Sequence, residues 1–262
     1  MSERASDAAE LRDKDELAAF LRRDRALYAY HLGDLDDFFW PFTRWWGTRD
    51  EQGALREVAL LYGGGTLLAL SRDPAAMQAL VRGVAHELPA RLYAHLSPGV
   101  LPALEERWRS EPRGPHLKMR LAHPQRLARV DVSSATQLGP GDADELLGFY
   151  ARVYPGNWFD PRMLETLTYF GLREGRRLLS VAGIHVVSRA FGVAALGNIA
   201  TDREARGRGL ARITTAAVCR ALREGGIEEI GLNVHASNRA ALACYERLGF
   251  RTCAEYEEHE LA

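Results

Sequence analysis

The chain has 262 residues, of which 47% are hydrophobic and 26% are charged, a composition typical of a globular protein. Its 34 basic and 35 acidic side chains nearly cancel, which argues against a protein that binds nucleic acid or a membrane surface through excess positive charge. The length allows one large domain or two small ones, and either can bury a core without disulfides or metals.

Cysteine usage and hydropathy bear on the compartment. The three cysteines are odd in number and include no Cys-x-x-Cys pair, which fits neither a disulfide framework nor a zinc site. The first residues are too highly charged for a signal peptide, and no apolar run approaches the roughly 18 residues that span a bilayer. We therefore expect a cytoplasmic protein with reduced thiols, no metal, and no nucleic-acid or membrane partner.

Apolar spacing predicts strands and helices in the first half of the chain. Residues 14–31 have helical spacing, and the apolar runs Val58–Tyr62 and Thr66–Leu70, separated by three glycines, are typical of a hairpin. Asp73 and Pro74 are typical of a helix start. The remaining predictions are an end of that helix near residue 87, a strand at 91–97, a short helix at 100–108, a loop at 110–116 and a strand at 116–122.

A second series of elements in a similar order begins near residue 127. Its members are a strand at 128–135, a helix within 139–154, an aromatic loop at 154–161, strands at 167–172, 178–187 and 193–201, a helix at 210–224, a strand at 227–234, a helix at 238–248 and a strand at 250–258. Few residues match at corresponding positions of the two halves, so the sequence does not establish a repeat.

The most informative stretch runs from Asn198 to Arg212, where an apolar strand leads through a glycine-containing loop into a helix. Free backbone N–H groups point outward at such a helix start, and glycine lets a ligand come close to them. Gly207 and Gly209 supply that freedom here. Four positive charges complete a pattern typical of a pyrophosphate site: Arg203, Arg206, Arg208 and Arg212.

Other phosphate motifs do not fit this stretch. The sequence has no Gly-Lys pair, which excludes a P-loop, and Gly207-x-Gly209 is followed by Arg212 where a dinucleotide fingerprint needs a third glycine. The pattern that remains is Arg206-x-x-Gly209-x-Ala211. In isolation, these six residues fit a glycine-rich turn with solvated arginines equally well.

A second motif occupies residues 231–250 and again combines a strand, a polar turn and a helix. Asn238 stands at the helix start, where its amide can cap the helix or contact a ligand. Tyr245 follows two helical turns later, so both side chains project from the same side of the helix. Taken alone, this pattern favours a helix cap at Asn238 and a core aromatic at Tyr245.

Together, the motifs RGRGLA and LNVHASNRAALACYERLGF resemble those of the GNAT superfamily of acyl-CoA-dependent N-acyltransferases, over about residues 128–260. The resemblance implies an α/β (α+β) fold with a mixed, mostly antiparallel sheet flanked by helices, a catalytic domain at 127–262, and acetyl-CoA as cosubstrate. The first half, 1–126, is similar in element order to two-unit relatives of the glycine N-acyltransferase type. It has SRDPAAM in place of the glycine loop, so we expect a degenerate GNAT-like unit without a cofactor site.

Residue roles follow from the resemblance. The loop binds the coenzyme A pyrophosphate, the strand end contacts the acyl carbonyl and the pantetheine arm, and two neighbouring strands splay apart to expose the backbone groups that hold this arm. Tyr245 protonates the departing thiolate. The implied cofactor-binding residues are Ile199, Ala200, Thr201, Arg206, Gly207, Arg208, Gly209, Leu210, Ala211, Arg212 and Asn238.

At the positions where the family usually carries its general base, the sequence departs from the family pattern. Many members carry a glutamate at positions that correspond to Val193 and Asn233, neither of which can accept a proton. His185 and His235 are alternatives on nearby strands, and each also fits an ordinary structural histidine. An acceptor amine of low pKa needs no strong base, so the sequence leaves the base unassigned.

The acceptor and the overall function are hypotheses at this point. The aromatic segments 34–47 and 154–161 are candidates for an acceptor pocket between the two halves, although their tryptophans (Trp40, Trp45, Trp46 and Trp158) also fit a buried core. The leading hypothesis is transfer of an acetyl group from acetyl-CoA to a primary amine of a small molecule or peptide, by direct attack in a ternary complex. The alternative is a non-catalytic acyl-CoA-binding sensor, which needs the loop but not Tyr245.

Overall fold

The computed structural model describes residues 8–262, and the chain folds into two units. Unit 1 contains the chain up to Lys118 together with His235–Ser237 and Thr252–Ala262. Unit 2 contains Met119–Val234 and Asn238–Arg251. These units differ from the predicted ranges 1–126 and 127–262, because the last strand of the chain pairs with a strand of unit 1.

The elements are numbered in chain order. The strands are β1 Ala9–Leu11, β2 Thr43–Arg49, β3 Leu55–Tyr62, β4 Thr66–Ala69, β5 Leu92–Leu96, β6 Ser110–Leu121, β7 Thr136–Leu138, β8 Tyr169–Glu174, β9 Arg177–Ser188, β10 Val193–Thr201, β11 Glu229–His235 and β12 Phe250–Leu261. The helices are α1 Lys14–Leu21, α2 Ala29–Asp34, α3 Pro74–Val84, α4 Pro102–Glu105, α5 Ala143–Val153, α6 Leu210–Glu224 and α7 Arg239–Leu248.

Unit 1 is built on a sheet with the strand order β1-β2-β3-β4-β5-β12-β6. β4 and β5 are parallel, whereas the β1–β2, β2–β3, β3–β4 and β5–β12 pairs are antiparallel. α3 begins as predicted, with the Asp73 carboxylate accepting the Ala76 N–H at 3.1 Å and proline at the first helical position. Its apolar face joins a core with Trp46, Met77 and Leu80 at the centre.

Unit 2 is built on a sheet with the strand order β11-β10-β9-β8-β7. β10 and β11 are parallel, and the other neighbouring pairs are antiparallel. α6 packs across β8, β9 and β10. The predicted class, a mixed and mostly antiparallel sheet flanked by helices, is therefore confirmed.

Two predictions in the first half are wrong. The helix predicted at 14–31 is interrupted, because the Asp24 carboxylate accepts the Leu27 N–H at 3.1 Å and competes with helical hydrogen bonding. The loop predicted at 110–116 is part of β6 despite its prolines and glycine. The residue just before β6, Arg109, exchanges backbone hydrogen bonds with Ala262 at 2.8 and 3.1 Å. Because these two residues are far apart in the sequence, local composition does not reveal the pairing.

The strand predicted at 128–135 is also wrong. Pro124–Arg129 form a 3₁₀ helix, and the chain enters β7 only at Thr136. The Arg220 guanidinium donates to the carbonyls of Leu127 and Val130, at 2.6 and 2.7 Å. These carbonyls are therefore satisfied by a side chain of α6 instead of a neighbouring strand.

A bulge interrupts β10 just before the glycine loop. Gly197 pairs with Gly183 of β9 and Ala200 pairs with Val181, so two residues of β10, at 198 and 199, face a single residue of β9. Asn198 has a φ of 54°, in the left-handed region that asparagine tolerates better than most residues. Bulges of this kind bend a strand and redirect the groups that follow them.

The Asn198 side chain holds this bulge from within the protein. Its amide donates to the Tyr169 hydroxyl at 2.8 Å and accepts from Asn157 Nδ2 at 3.2 Å. Its backbone carbonyl accepts from the Tyr150 hydroxyl at 2.7 Å. Because all of these groups are buried or half-buried, the bulge is a fixed feature of the strand.

Replacing Asn198 tests this arrangement. Asn198→Ala should lower the free energy of unfolding by about 2–3 kcal/mol, because it removes buried hydrogen bonds and leaves a Cβ at a left-handed φ. Asn198→Gly removes the same side-chain hydrogen bonds, but glycine adopts a left-handed φ without strain. Its loss in the free energy of unfolding should therefore be about 1 kcal/mol smaller than that of the alanine variant. Denaturant unfolding measures both variants. Stabilities equal to that of the unsubstituted protein would contradict the role of this amide.

Candidate functional site

The two parallel strands of unit 2 separate before they end. Their register runs from Val193 opposite Glu229 to Leu196 opposite Leu232, and no pairing between them is found beyond that point. β10 nevertheless continues to Thr201 along β9. Among the described residues, the backbone of β10 after Leu196 therefore has no strand partner on the edge that faced β11. The resemblance implies a separation of this kind.

The corresponding parallel strands of unit 1 stay together. β4 and β5 pair to their ends at Ala69 and Leu96, and the Ser97 N–H then bonds the Ala69 carbonyl at 3.2 Å. The Ser97 hydroxyl also accepts the Ser71 N–H at 2.9 Å. These bonds hold the ends of the two parallel strands of unit 1 together. The ends of the corresponding strands in unit 2 are apart. The absence of a cofactor site from the first half stays a prediction.

The glycine loop follows the open strand end. Gly207 and Gly209 have φ values of 80° and 77°, which L side chains rarely adopt, and a Cβ at either position would meet no atom within 4 Å. Gly209 caps α6, and its carbonyl accepts the N–H groups of Arg212 and Ile213. Within residues 8–262, no acceptor is found for the backbone N–H groups of residues 207–211. The loop thus presents five donors at a helix N-terminus, an arrangement that suits an anion.

Asp202 anchors the start of this loop. Its buried carboxylate accepts from Arg177 at 2.9 Å and from the Glu204 N–H at 3.2 Å. The hydrogen bond from the Arg177 guanidinium holds the pKa of Asp202 below its ordinary value, so this carboxyl stays ionised. A charged, fixed anchor explains how a loop with two left-handed glycines keeps one conformation.

The four predicted arginines are exposed and differ in their partners. Arg206 Nε donates to the Thr201 carbonyl at 3.3 Å, and Arg208 forms a surface ion pair with Glu174 at 3.1 Å. Arg203 and Arg212 point into solvent at either end of the loop. Surface ion pairs of this kind are weak, so these guanidinium groups can turn to an anionic ligand at little cost.

The residues predicted at the strand end are placed differently from one another. Ile199 is half-buried and Ala200 is buried, directly after the bulge. The Thr201 hydroxyl is engaged with the Ser180 hydroxyl at 2.9 Å, and its carbonyl is the one that accepts Arg206. The Ala200 carbonyl also accepts the Ser180 hydroxyl, at 3.2 Å. Contacts of these residues with an acyl or amide group stay a prediction.

The second motif forms α7 as predicted. Asn238 caps the helix, with Oδ1 accepting the Ala241 N–H at 3.1 Å, and its amide nitrogen stays available to a ligand because the residue is exposed. The Tyr245 ring is 8% exposed and packs edge-on against Phe250 at 6.0 Å. Both expected structural roles, the cap and the core aromatic, are therefore present, and they leave the ligand roles open.

The Tyr245 hydroxyl carries the chemistry that a proton donor needs. Among the described residues, no hydrogen-bond partner is found for this hydroxyl. Its oxygen is not fully buried and stays partly accessible to solvent. Burial of the side chain raises the pKa of the hydroxyl above its ordinary value. The group therefore remains an O–H donor throughout the physiological pH range, available to a basic atom of a ligand.

The two histidines considered as bases lie in different units. His235 groups with unit 1, where its ring packs edge-on against His116 at 4.9 Å and its Nδ1 accepts from Ser237. His185 lies in unit 2, with its ring over Gly197. Val193 is fully buried in β10 and offers no polar group.

The tryptophans proposed for an acceptor pocket differ in burial and in the unit to which they belong. Trp45 and Trp46 are buried core of unit 1, whereas Trp158 is exposed in unit 2. Sequence reasoning missed Asn198, whose one visible signal is an amide within an otherwise apolar strand.

The described part of the chain contains no cluster of three or more metal-ligating side chains. No helix in residues 8–262 is long and apolar enough to cross a bilayer. The cradle formed by the open strand end, the loop donors and the arginines fits coenzyme A, which combines an amide-containing arm with a pyrophosphate.

Comparison with known proteins agrees with this chemistry. Residues 142–250 match the model of the acetyltransferase (GNAT) family. A mycothiol acetyltransferase from Kocuria rhizophila is 32% identical over 205 residues, which cover 76% of this chain and 59% of that protein. The chain spans about half the length of the curated relatives it matches.

Solved structures extend the likeness to nearly the whole chain. A Drosophila protein has a TM-score of 0.73 at 14% identity, over 98% of this chain and 99% of its own. A tandem GNAT protein from the clavulanic acid biosynthesis pathway has a TM-score of 0.52 at 16% identity, over 98% of both chains. These likenesses confirm the predicted fold class, in which tandem units occur. This chain therefore contains an acetyltransferase domain of the GNAT family at residues 142–250.

Proposed function

We propose that the protein is an N-acetyltransferase that transfers the acetyl group of acetyl-CoA to a primary amine by direct attack in a ternary complex. The observation that carries the proposal is the open end of β10. It leads through the Asn198 bulge to five N–H groups at the start of α6 that have no acceptor within the described residues. GNAT acetyltransferases use acetyl-CoA as cosubstrate, and this arrangement supplies complementary groups for both ends of that molecule.

Each part of the site has a distinct task in this proposal. The N–H groups of residues 207–211 and the flanking arginines bind the pyrophosphate. The backbone at Ile199 and Ala200 and the Asn238 amide hold the pantetheine arm, and a strand-end N–H stabilises the negative charge that develops on the acyl oxygen. Tyr245 donates its proton to the departing sulfur.

The acceptor is a small-molecule or peptide amine. The Kocuria relative is named a mycothiol acetyltransferase, and a Salmonella relative is named for the alanine of a ribosomal protein, so relatives of both kinds support an amine acceptor. A panel of amines incubated with acetyl-CoA, with release of free thiol as the readout, identifies the acceptor class. Saturable binding of coenzyme A without turnover of any amine would instead support a non-catalytic acyl-CoA sensor.

Tyr245→Phe tests the proton donor. Removing the hydroxyl should lower kcat by about 10²- to 10⁴-fold, the range typical of a positioned general acid, while the affinity for coenzyme A stays unchanged. Steady-state kinetics and calorimetric titration measure the two quantities. Tyr62→Phe, a half-buried tyrosine of β3 in unit 1, is the matched control and should keep full activity. An unaltered kcat in Tyr245→Phe would remove this tyrosine from the mechanism.

Gly209→Val tests the pyrophosphate cradle. A branched side chain in front of the loop donors should raise the dissociation constant of coenzyme A at least about tenfold, since each hydrogen bond to a charged group contributes about 1.5–3 kcal/mol. Gly226→Val is a close control, because Gly226 has a φ of 84° and open surroundings just beyond the other end of α6. Both variants bear similar backbone strain, about 1–2 kcal/mol. If both bind coenzyme A equally well, the loop is not the binding site.

A further inference from the structure

The His185 imidazole lies directly on the backbone of β10. A Cβ placed on Gly197 would stand 2.1 Å from Cδ2 and 2.3 Å from Nε2 of His185, so the ring occupies the space that any side chain at 197 would fill. Gly197 is the first residue of β10 after the last pair with β11. The imidazole therefore lies at the point where the two strands part, immediately before the Asn198 bulge.

A second bulge, in β9, accounts for this position. Ala195 pairs with Val186 and Leu196 pairs with Ile184, so His185 has no opposite residue in β10. A residue in a bulge leaves the regular alternation of the strand, and its side chain is redirected; such bulges are common beside active sites. The His185 side chain is half-buried and so retains access to solvent.

The imidazole is on the face of the sheet opposite α6. The Ser180 hydroxyl approaches Thr214 of α6, which places that residue of β9 on the α6 face. Gly183, three residues later in a regular stretch, points to the other face, where the Tyr169 ring covers it. Gly197 is the cross-strand partner of Gly183, so its side-chain direction, and the imidazole there, belong to this second face.

An exposed tryptophan lies beside this imidazole. The Trp158 ring is 51% exposed, and its centroid is 6.2 Å from that of His185. Its neighbours fix the segment: Asn157 donates to the Asn198 side chain, and the Phe159 ring packs against Tyr150 and Tyr169 at 5.0 and 5.7 Å. An indole held in this way offers a rigid apolar surface to a ligand.

From this geometry we propose that His185 is the general base for the acceptor amine and that Trp158 positions the carbon framework next to that amine. The inference rests on the proposed function and deepens it. The loop and α6 hold the pyrophosphate on one face, the thioester reaches the gap between β10 and β11, and the amine arrives from the other face. In this arrangement the amine meets the acyl carbon within reach of His185 Nε2. It is also near the backbone N–H groups that follow the Asn198 bulge.

The proton and electron balance is simple. The amine nitrogen lone pair forms a C–N bond to the acyl carbon, and the carbonyl π electrons move to the oxygen. His185, neutral, takes one proton from the amine nitrogen. The electron pair on the oxygen then re-forms the C=O bond as the C–S bond breaks. The electrons of the C–S bond leave with the sulfur, and the sulfur takes a proton from the Tyr245 hydroxyl. The products are the amide and the free thiol, and the proton on His185 balances the one that Tyr245 gave.

His185→Gln tests this inference with a series of amines of graded basicity. Alkyl amines carry only a weakly acidic N–H after attack, so removal of that proton needs the base, and their kcat/KM should fall about 10²- to 10⁴-fold. Aryl amines and aryl hydrazines are neutral at pH 7 and give a more acidic N–H after attack, which water can deprotonate, so their loss should be less than tenfold. Calorimetric affinity for coenzyme A should stay unchanged. His86→Gln, an exposed histidine in unit 1, is the matched control and should behave as the unsubstituted protein.

Gly197→Ala provides an independent variant, since its methyl group displaces the imidazole without removing it. It should reproduce the selective loss for alkyl amines. An equal loss across the whole amine series, or no loss in His185→Gln, would overturn the assignment of His185. If the unsubstituted protein acetylates none of the amines, the proposed function itself fails, and with it this inference. The activity of the unsubstituted protein therefore distinguishes a failure of the proposed function from a failure of the His185 assignment.

Discussion

The parting of β10 from β11 after Leu196 and Leu232 is the constraint on which the rest of unit 2 depends. Parallel strands that separate leave backbone N–H and C=O groups without partners, and such groups are costly unless they are hydrogen-bonded. The Tyr150 hydroxyl satisfies the Asn198 carbonyl, and the bulge at residues 198 and 199 lies just beyond the last pair with β11. In the proposed function, the pantetheine arm, which has amides of its own, takes up the pairing that β11 no longer supplies.

The contrast with unit 1 shows that this opening is a property of particular residues and not of the strand order. Both units place a helix after a strand that has a parallel neighbour. In unit 1, the Ser97 hydroxyl bonds the backbone that follows the neighbouring strand, and a proline starts α3 without left-handed glycines. In unit 2, left-handed glycines start α6, and Asp202, held ionised by Arg177, fixes the chain before them. One topology thus gives a closed strand end in unit 1 and, in unit 2, an open strand end followed by a glycine loop.

Much of this could be predicted from the sequence, because the informative signals are local. α6 has the predicted bounds, since its amphipathic pattern lies between a glycine cap and a glycine pair. The loop, the cap at Asn238 and the buried Tyr245 were predictable for the same reason. The pairing of β6 with the chain end and the course of residues 128–135 depend on distant partners, which local patterns do not contain. The same is true of the bulge at Asn198 and of the one that places His185, since both depend on the register between β9 and β10. The sequence offered His185 as a candidate base but not this position.

Amide hydrogen exchange of the full chain, with and without coenzyme A, tests the central claim most directly, because it reports the backbone groups that the ligand is proposed to bind. The account predicts slower exchange at residues 199–200 and 207–211 when coenzyme A is saturating, and no change at residues 71–76, the corresponding strand-to-helix segment of unit 1. Unchanged exchange at 207–211, or protection at 71–76 instead, would contradict it.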